Sequence, residues 1–215
     1  MSQPTIDIVQ SLPVMEHFYT LQGEGFHQGR AAYFIRLGGC DVGCVWCDVK
    51  ESWDADAHPK KTIPEIVDYV VTNGAPPHLG EKKGLVVITG GEPLMHDLTN
   101  LTRALKAKGY ETNIETSGSH PLSGEWDWVC LSPKKFKAPL PEVVPFANEL
   151  KVVVFNQSDF KWAEQYEAMV SPECKLFLQP EWDKASTVTP LIIEYIKQHP
   201  QWELSLQIHK YINVP

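Results

Sequence analysis

Strand-like and helix-like stretches alternate along this 215-residue chain, and that alternation predicts an α/β fold with a mainly parallel sheet. Two further observations narrow it. About six strands with only about four helices are too few for a closed eight-fold barrel of ~250 residues, so a partial, open TIM-like barrel is expected. Glycine pairs or polar residues follow most of the strands, at the ends where such sheets carry their chemistry.

In chain order, AAYFIRL at 31–37 is an apolar, aromatic run and reads as a strand, closed by Gly38-Gly39. TIPEIVDYVVTN at 62–73 reads as an amphipathic helix, with Thr62 as N-cap and Pro64 and Glu65 in its first turn. GLVVIT at 84–89 is a buried strand before Gly90-Gly91, and 96–109 a helix with leucines on one face and Gly109 as its cap. ETNIET (111–116), WDWVCLS (126–132) and ELKVVVF (149–155) read as strands. A helix over 158–170 capped by Ser158, a strand at 175–179, a helix over 186–199 and a last strand at 202–209 complete the pattern. No repeat or linker divides it, and the length favours one domain over 1–215. The segments 38–39, 90–91, 115–118, 132–134 and 179–182 fall at strand ends, where a site is expected.

Composition excludes several classes. With 43% hydrophobic and 21% charged residues the chain is neither disordered, collagenous nor coiled-coil. Nineteen basic against 27 acidic residues, a net charge of −8, argue against a surface that neutralises nucleic-acid phosphates. No apolar run approaches ~18 residues, so no membrane span is expected. MSQPTIDIVQSLPVMEH lacks a basic start and apolar core, so it is not read as an export signal, and the default location is the cytoplasm. Five cysteines, an odd number without an export signal, do not suggest a disulfide framework.

Three of those cysteines, Cys40, Cys44 and Cys47, crowd into GGCDVGCVWCD. Thiolates are soft ligands suited to zinc or to an iron–sulfur cluster. A structural zinc site wants a fourth ligand, and neither His27 nor His58 stands at a standard spacing. A cubane held by three cysteines keeps one iron open. Three free thiols are the remaining reading, disfavoured on so glycine-rich a loop. Cys130 and Cys174, in or beside strands, read as buried and inert.

The CxxxCxxC loop after a barrel strand resembles the radical S-adenosylmethionine (SAM) superfamily, and TGGEP at 89–93 matches its second motif. Two glycines there permit close backbone approach, and Glu92 could accept from an ammonium group. LQGEG at 21–25, SPK at 132–134 and the ending QIHKYINVP resemble, more narrowly, the 7-carboxy-7-deazaguanine synthase family of queuosine biosynthesis, over nearly the whole chain. The resemblance implies a lyase with a 4Fe–4S cluster and SAM, cleaved by one electron to methionine and a 5′-deoxyadenosyl radical. That radical takes hydrogen from C6 of 6-carboxy-5,6,7,8-tetrahydropterin. The ring contracts, ammonia leaves, and SAM is re-formed. It also implies an external reductant, a flavodoxin or ferredoxin, and a homodimer.

Residue by residue, the resemblance assigns Cys40, Cys44 and Cys47 to the cluster. It assigns Trp46, Asp48, Gly91, Glu92, Ser117, Ser132, Pro133, Lys134 and Gln179 to SAM. It assigns Leu21, Gln22, Gly23, Arg36, Thr89 and Pro215 to the pterin. Arg36 suits the substrate carboxylate, since an arginine on an apolar strand is costly unpaired. Glu24 and Glu115 are candidates for amine or amide donors, or for structural hydrogen bonds. Pro215 would bring a terminal carboxylate over the site. One departure stands out. The usual Cys-Asp-Thr supplies a threonine ligand to magnesium, whereas this chain has Val49, with no oxygen for a hard cation. Weak magnesium dependence is therefore expected, with Asp48 or Lys50 as alternative means. The segment 51–61 reads as a solvated loop rather than a cover for the cysteines.

Other readings are a glycyl-radical activase, against which LQGEG and the C-terminal motif speak, and a zinc-binding module. An α/β interaction protein would leave the cysteine loop unexplained.

Overall fold

A computed structural model describes residues 10–74, 76–79 and 82–215; residues 1–9, part of the segment read for an export signal, lie outside the described residues. The first half runs through β1 (Ser11–Leu21), β2 (Ala31–Leu37), β3 (Lys60–Thr62), α1 (Ile63–Asn73), β4 (His78–Leu79), β5 (Lys82–Lys83), β6 (Leu85–Gly90) and α2 (Thr99–Ala107). The second runs through β7 (Glu111–Thr116), β8 (Trp128–Leu131), β9 (Glu149–Val154), α3 (Ser158–Glu167), β10 (Lys175–Pro180), α4 (Ala185–Gln198), β11 (Trp202–Leu204) and α5 (Ile208–Ile212).

Nine strands form one sheet in the order β11-β10-β9-β8-β7-β6-β2-β1-β3, and β4 with β5 form a separate ribbon. From β2 to β11 every pair is parallel and the order follows the chain, the winding of an open barrel. The sheet thus has seven parallel strands, where about six were expected, and two antiparallel ones at the edge.

Alternation along each strand divides the residues between two faces. Tyr33, Ile35 and Leu37 of β2, Val86 and Ile88 of β6 and Ile114 of β7 pack with α1 and α2 residues such as Ile66, Val70, Leu101 and Leu105. Leu150, Val152 and Val154 of β9 and Leu176 and Leu178 of β10 pack with Phe160, Ala163, Val188 and Ile192 from α3 and α4. The opposite face holds only a small apolar cluster, Ala32, Leu85 and Val87 with Phe34. Toward the C-terminal strand ends that face carries polar residues instead.

Several expectations change. β1 has no clean alternation; its Pro13 stands opposite Lys60 of the short β3, and β1 pairs with β2 through a register shift between Val14 and Glu16. Ser158 does not cap α3. That end is fastened by Asp159, whose carboxylate accepts from the Phe155 and Asn156 amides, both at 2.8 Å. The last strand stops at Leu204 rather than reaching 209, because Ser205 turns inward: its hydroxyl donates to Gln179 and accepts from the Gly25 amide. Segment 51–61 is not simply solvated. Its short 3-10 turns present the Ser52 and Trp53 carbonyls to the Gly39 and Cys40 amides at 2.6 and 3.1 Å, and Ser52 is fully buried. The start of α1 is as read, with the Glu65 carboxylate accepting from the Thr62 amide and hydroxyl, each at 2.7 Å.

Gly90 ends β6 at φ +140°, and a β-carbon there would lie 2.1 Å from the Leu37 carbonyl oxygen of the neighbouring strand. Gly90→Ala is expected to cost roughly 3 kcal/mol or more, from backbone strain and collision together. Urea unfolding of the two proteins checks this.

Candidate functional site

The loops and residues at the C-terminal strand ends enclose one cavity of about 280 Å³, far larger than a single ion needs. Of the sequence-assigned residues, all three cysteines line it, as do Asp48, Gly91, Glu92, Ser117, Ser132, Lys134 and Gln179. So do Leu21, Gln22, Gly23, Arg36, Thr89 and Pro215. Trp46 and Pro133 are not among the lining residues. Trp46 instead lies beneath Lys134, whose ammonium is 5.3 Å from the ring centre, and the buried Pro133 carbonyl accepts from the Trp162 indole at 3.3 Å. Cys130 and Cys174 are buried, as read, and neither is among the residues lining the cavity.

The cysteine loop is held by its neighbours. Gly91 approaches so closely that a β-carbon there would lie 2.2 Å from the Gly39 carbonyl oxygen and 2.8 Å from the Cys40 Cβ. His96 bonds to the Gly38 carbonyl at 2.8 Å. Burial pushes the Cys44 thiol up to about 11 despite the nearby Lys134, and raises Cys40 as well. A metal centre held by these thiols would therefore displace their protons. Among the described residues no three His, Cys, Asp or Glu side chains, the three cysteines included, close on one ion. Three soft donors on one loop, lining a cavity with room for a larger group, fit a three-cysteine cluster with an organic ligand on its open iron.

Glu92 is almost wholly buried, and its carboxylate is already occupied. One oxygen accepts from the Leu94 amide (3.0 Å) and the Thr116 hydroxyl (2.5 Å); the other accepts from the Ser117 amide (2.8 Å) and hydroxyl (2.5 Å). The sequence reading gave Glu92 a ligand ammonium. The structure gives it four protein donors, so it joins the ends of β6 and β7 and sets the position of Ser117.

A second network forms the floor. Lys151, only 4% exposed, donates to Glu24 at 2.5 Å and to Glu115 at 3.2 Å. Gln22 donates to Glu115 at 2.8 Å, and Gln207 donates to Glu24 at 2.9 Å. Burial by itself would raise Glu24, but the Lys151 charge and hydrogen bond override it and bring the carboxyl down to about 2. Burial likewise acts to lower Lys151, and the charges of Glu115 and Glu24 reverse that and raise it well above its ordinary value. Glu149, accepting from the Trp128 indole at 2.9 Å, is raised by burial with Lys151 opposing.

Arg36 donates through Nε to Glu16 at 2.5 Å, and its terminal nitrogens have no protein acceptor among the described residues. Asp48 is paired with Lys210 at 3.0 Å. Sequence reasoning missed Lys151, Gln207, His209 and Trp53, all on the cavity wall. For Lys151 a signal existed: a charge inside the apolar run ELKVVV, at a position that alternates to the concave face.

Residues 34–131 match the profile of the Radical SAM superfamily. The chain is 51% identical over 213 residues to the 7-carboxy-7-deazaguanine synthase of Flavobacterium psychrophilum, covering 99% of this chain and 97% of that one. It is 49% identical to the enzyme of that name from Synechocystis, covering 95% and 94%. The crystal structure of QueE from Escherichia coli superimposes with a TM-score of 0.78 at 32% identity, covering 91% and 93%. The chain belongs to the 7-carboxy-7-deazaguanine synthase family of the radical SAM superfamily.

Because Glu24 is held near 2, below its unfolded value of 4.5, its contribution to stability is complete above about pH 4.5 and is lost as pH falls toward 2. In Glu24→Gln that contribution is absent. The melting-temperature gap between the two proteins is therefore expected to narrow steadily from about pH 5 to pH 3, as thermal melts across that range will report.

Proposed function

We propose that this member of the 7-carboxy-7-deazaguanine synthase family converts 6-carboxy-5,6,7,8-tetrahydropterin to 7-carboxy-7-deazaguanine with loss of ammonia, a radical SAM ring contraction in queuosine biosynthesis. The observation that carries the reading is the meeting of the cysteine loop, the Gly90-Gly91 strand end and the LQGEG segment on one cavity. Cys40, Cys44 and Cys47 would hold the 4Fe–4S cluster. When bound, the cluster and SAM supply a 5′-deoxyadenosyl radical that takes a hydrogen atom from the substrate.

The chain's own residues bind, orient and shield. Gly91, with no room for a side chain, offers bare backbone to the methionine end of SAM. Ser117, fixed by Glu92, and Lys134, donating to Ser132 at 2.5 Å, present hydroxyl and ammonium groups beside it. Gln179, held by the Ser205 hydroxyl at 2.8 Å, lies on the opposite wall. Arg36 and Thr89 are register partners on β2 and β6 and take the substrate carboxylate end. The guanidinium is steadied by Glu16 through Nε, which leaves its two terminal nitrogens to form paired charge-assisted bonds. Leu21, Gln22 and Gly23 contact the pterin, and Pro215 closes over it. An external flavodoxin or ferredoxin supplies the electron, and the protein works as a homodimer.

The decisive assay is anaerobic: reconstituted protein, SAM, a strong reductant and the tetrahydropterin, with products followed by mass spectrometry. 7-Carboxy-7-deazaguanine is the expected product; SAM cleavage with the pterin untouched would overturn the substrate assignment. Val49 also lines the cavity with a side chain that has no oxygen, its carbonyl accepts from Ser52, and Asp48 is engaged by Lys210. Activity is therefore expected to survive chelation of magnesium, and Val49→Thr to acquire magnesium stimulation of severalfold. Steady-state rates with and without EDTA test both. A short tag appended after Pro215 is expected to raise the apparent KM for the pterin by about tenfold, the loss of roughly one charge-assisted hydrogen bond.

A further inference from the structure

We infer that Lys151 is a positioning residue for ligand recognition: it holds the Glu24 and Glu115 carboxylates together as paired acceptors for the N–H edge of a 2-amino-4-oxopyrimidine ring. The ligand class rests on the function proposed above; the role of Lys151 rests on geometry.

Lys151 points from β9 to the concave side of the sheet and contacts one oxygen of each carboxylate, at 2.5 and 3.2 Å. Glu24 comes from the segment after β1 and Glu115 from β7, so three separate elements meet on one ammonium. Two carboxylates sharing a buried site without a cation cannot both stay ionised, and one takes up a proton. A protonated carboxyl donates as well as accepts, and a floor with such a group no longer reads donors from acceptors. With Lys151 in place both groups are acceptors only. Each remaining oxygen is aimed by an amide: Gln207 donates to Glu24 Oε1 at 2.9 Å and Gln22 to Glu115 Oε1 at 2.8 Å. Gln22 Oε1 is itself turned to the Glu24 amide at 3.1 Å. The floor therefore presents oxygens and a net charge of −1 from this triplet.

The other ionisable groups facing the triplet are Glu149 on β9, Cys130 on β8, Lys134 after β8 and His209 on α5. None supplies a second cation in contact with either carboxylate. A ligand carboxylate is repelled from this end and directed toward Arg36. The pyrimidine end, with its ring N–H and adjacent amino group, matches a carboxylate face by paired hydrogen bonds. Lys151 thus fixes which way round the ligand lies, without itself needing to touch it.

The test uses the full chain, reconstituted and loaded with SAM, and equilibrium binding of fluorescent 6-carboxypterin rather than turnover. Wild-type affinity is expected to be flat between about pH 5.5 and 7.5, because Lys151 is paired with both carboxylates. It should exceed the affinity for the 2-oxo analogue, 6-carboxylumazine, by about 100-fold, because an acceptor then faces acceptors. Lys151→Met is expected to lose affinity about tenfold at pH 7.5 and about tenfold more by pH 5.5, as the unpaired carboxylates take up protons. Lys151→Arg should restore the flat profile.

A Lys151→Met protein that is weaker by the same factor at every pH would reduce Lys151 to a packing role and overturn the inference. Equal wild-type affinity for the 2-amino and 2-oxo ligands would overturn it too, and that comparison stands even if the methionine variant does not fold. Failure of wild-type protein to bind either ligand would overturn the pterin reading, and this inference with it.

Discussion

A buried ammonium that must be paired governs the architecture of the site. Lys151 lies in a strand whose alternate residues, Leu150, Val152 and Val154, belong to the apolar core. The same backbone that sends those three outward commits Lys151 to the inside, where desolvation of a lone charge is prohibitive. Its partners have to be delivered from elsewhere in the chain. Glu115 arrives on β7; Glu24 arrives because the chain leaves β1 across the barrel mouth; Gln207 arrives because it turns in after β11. The ion pairs need not add net stability to do this. Replacing a buried pair by packed apolar groups is often neutral or favourable, while removing one member is severely costly. The arrangement is self-consistent only with all its members in place, and it defines the cavity's floor.

The roof obeys a different constraint, close backbone approach. Gly91 sits against Gly39 and Cys40, and the carbonyls of Ser52 and Trp53 take up the Gly39 and Cys40 amides. The cysteine loop is therefore clamped between the end of β6 and the segment that follows it in sequence. Glu92 extends the clamp sideways by accepting from Thr116 and Ser117 at the end of β7. A buried carboxylate with four donors is a strong joint between parallel strands whose own ladder has just ended. The cysteine loop and the Gly91 backbone are thus set relative to each other by contacts made through backbone groups and the Glu92 carboxylate.

How legible this was depends on which periodicity each segment had to satisfy. The parallel strands and α1 were readable because their apolar residues repeat at the strand or helix period, and β2, β6 and α1 end at glycine. β1 was not, since a strand containing Pro13 and a register shift carries no clean alternation. Residues 205–209 look like strand by composition, yet the Ser205 hydroxyl finds Gln179 and pulls the chain off the sheet, a tertiary contact with no local trace. The cysteine loop, the Gly90-Gly91 end and LQGEG could be found from spacing and resemblance alone. Glu92 was found, but its protein donors were not, because sequence does not reveal that Thr116 and Ser117 stand beside it. Lys151 was visible as a charge in an apolar run and was passed over because the run as a whole read as core.

The polarity of the cavity follows from the barrel being open. A closed barrel of eight strands fills its interior with stacked side chains, but seven parallel strands with an antiparallel edge leave the concave face without enough apolar neighbours to fill it. Ala32, Leu85 and Val87 close only the end nearest the strand starts. Above them the inward positions are Arg36, Thr89, Glu115, Lys151 and Gln179, each on a different strand. Lys151 and Glu115 satisfy one another and Gln179 bonds to Ser205, while the terminal nitrogens of Arg36 keep no protein acceptor among the described residues. The charges are separated accordingly: an acidic floor around Lys151, and a basic side at Arg36 and Lys134. An uncharged interior would accept a flat heterocycle in either orientation, whereas this one distinguishes the two ends of a ring that carries a carboxylate at one end and N–H donors at the other.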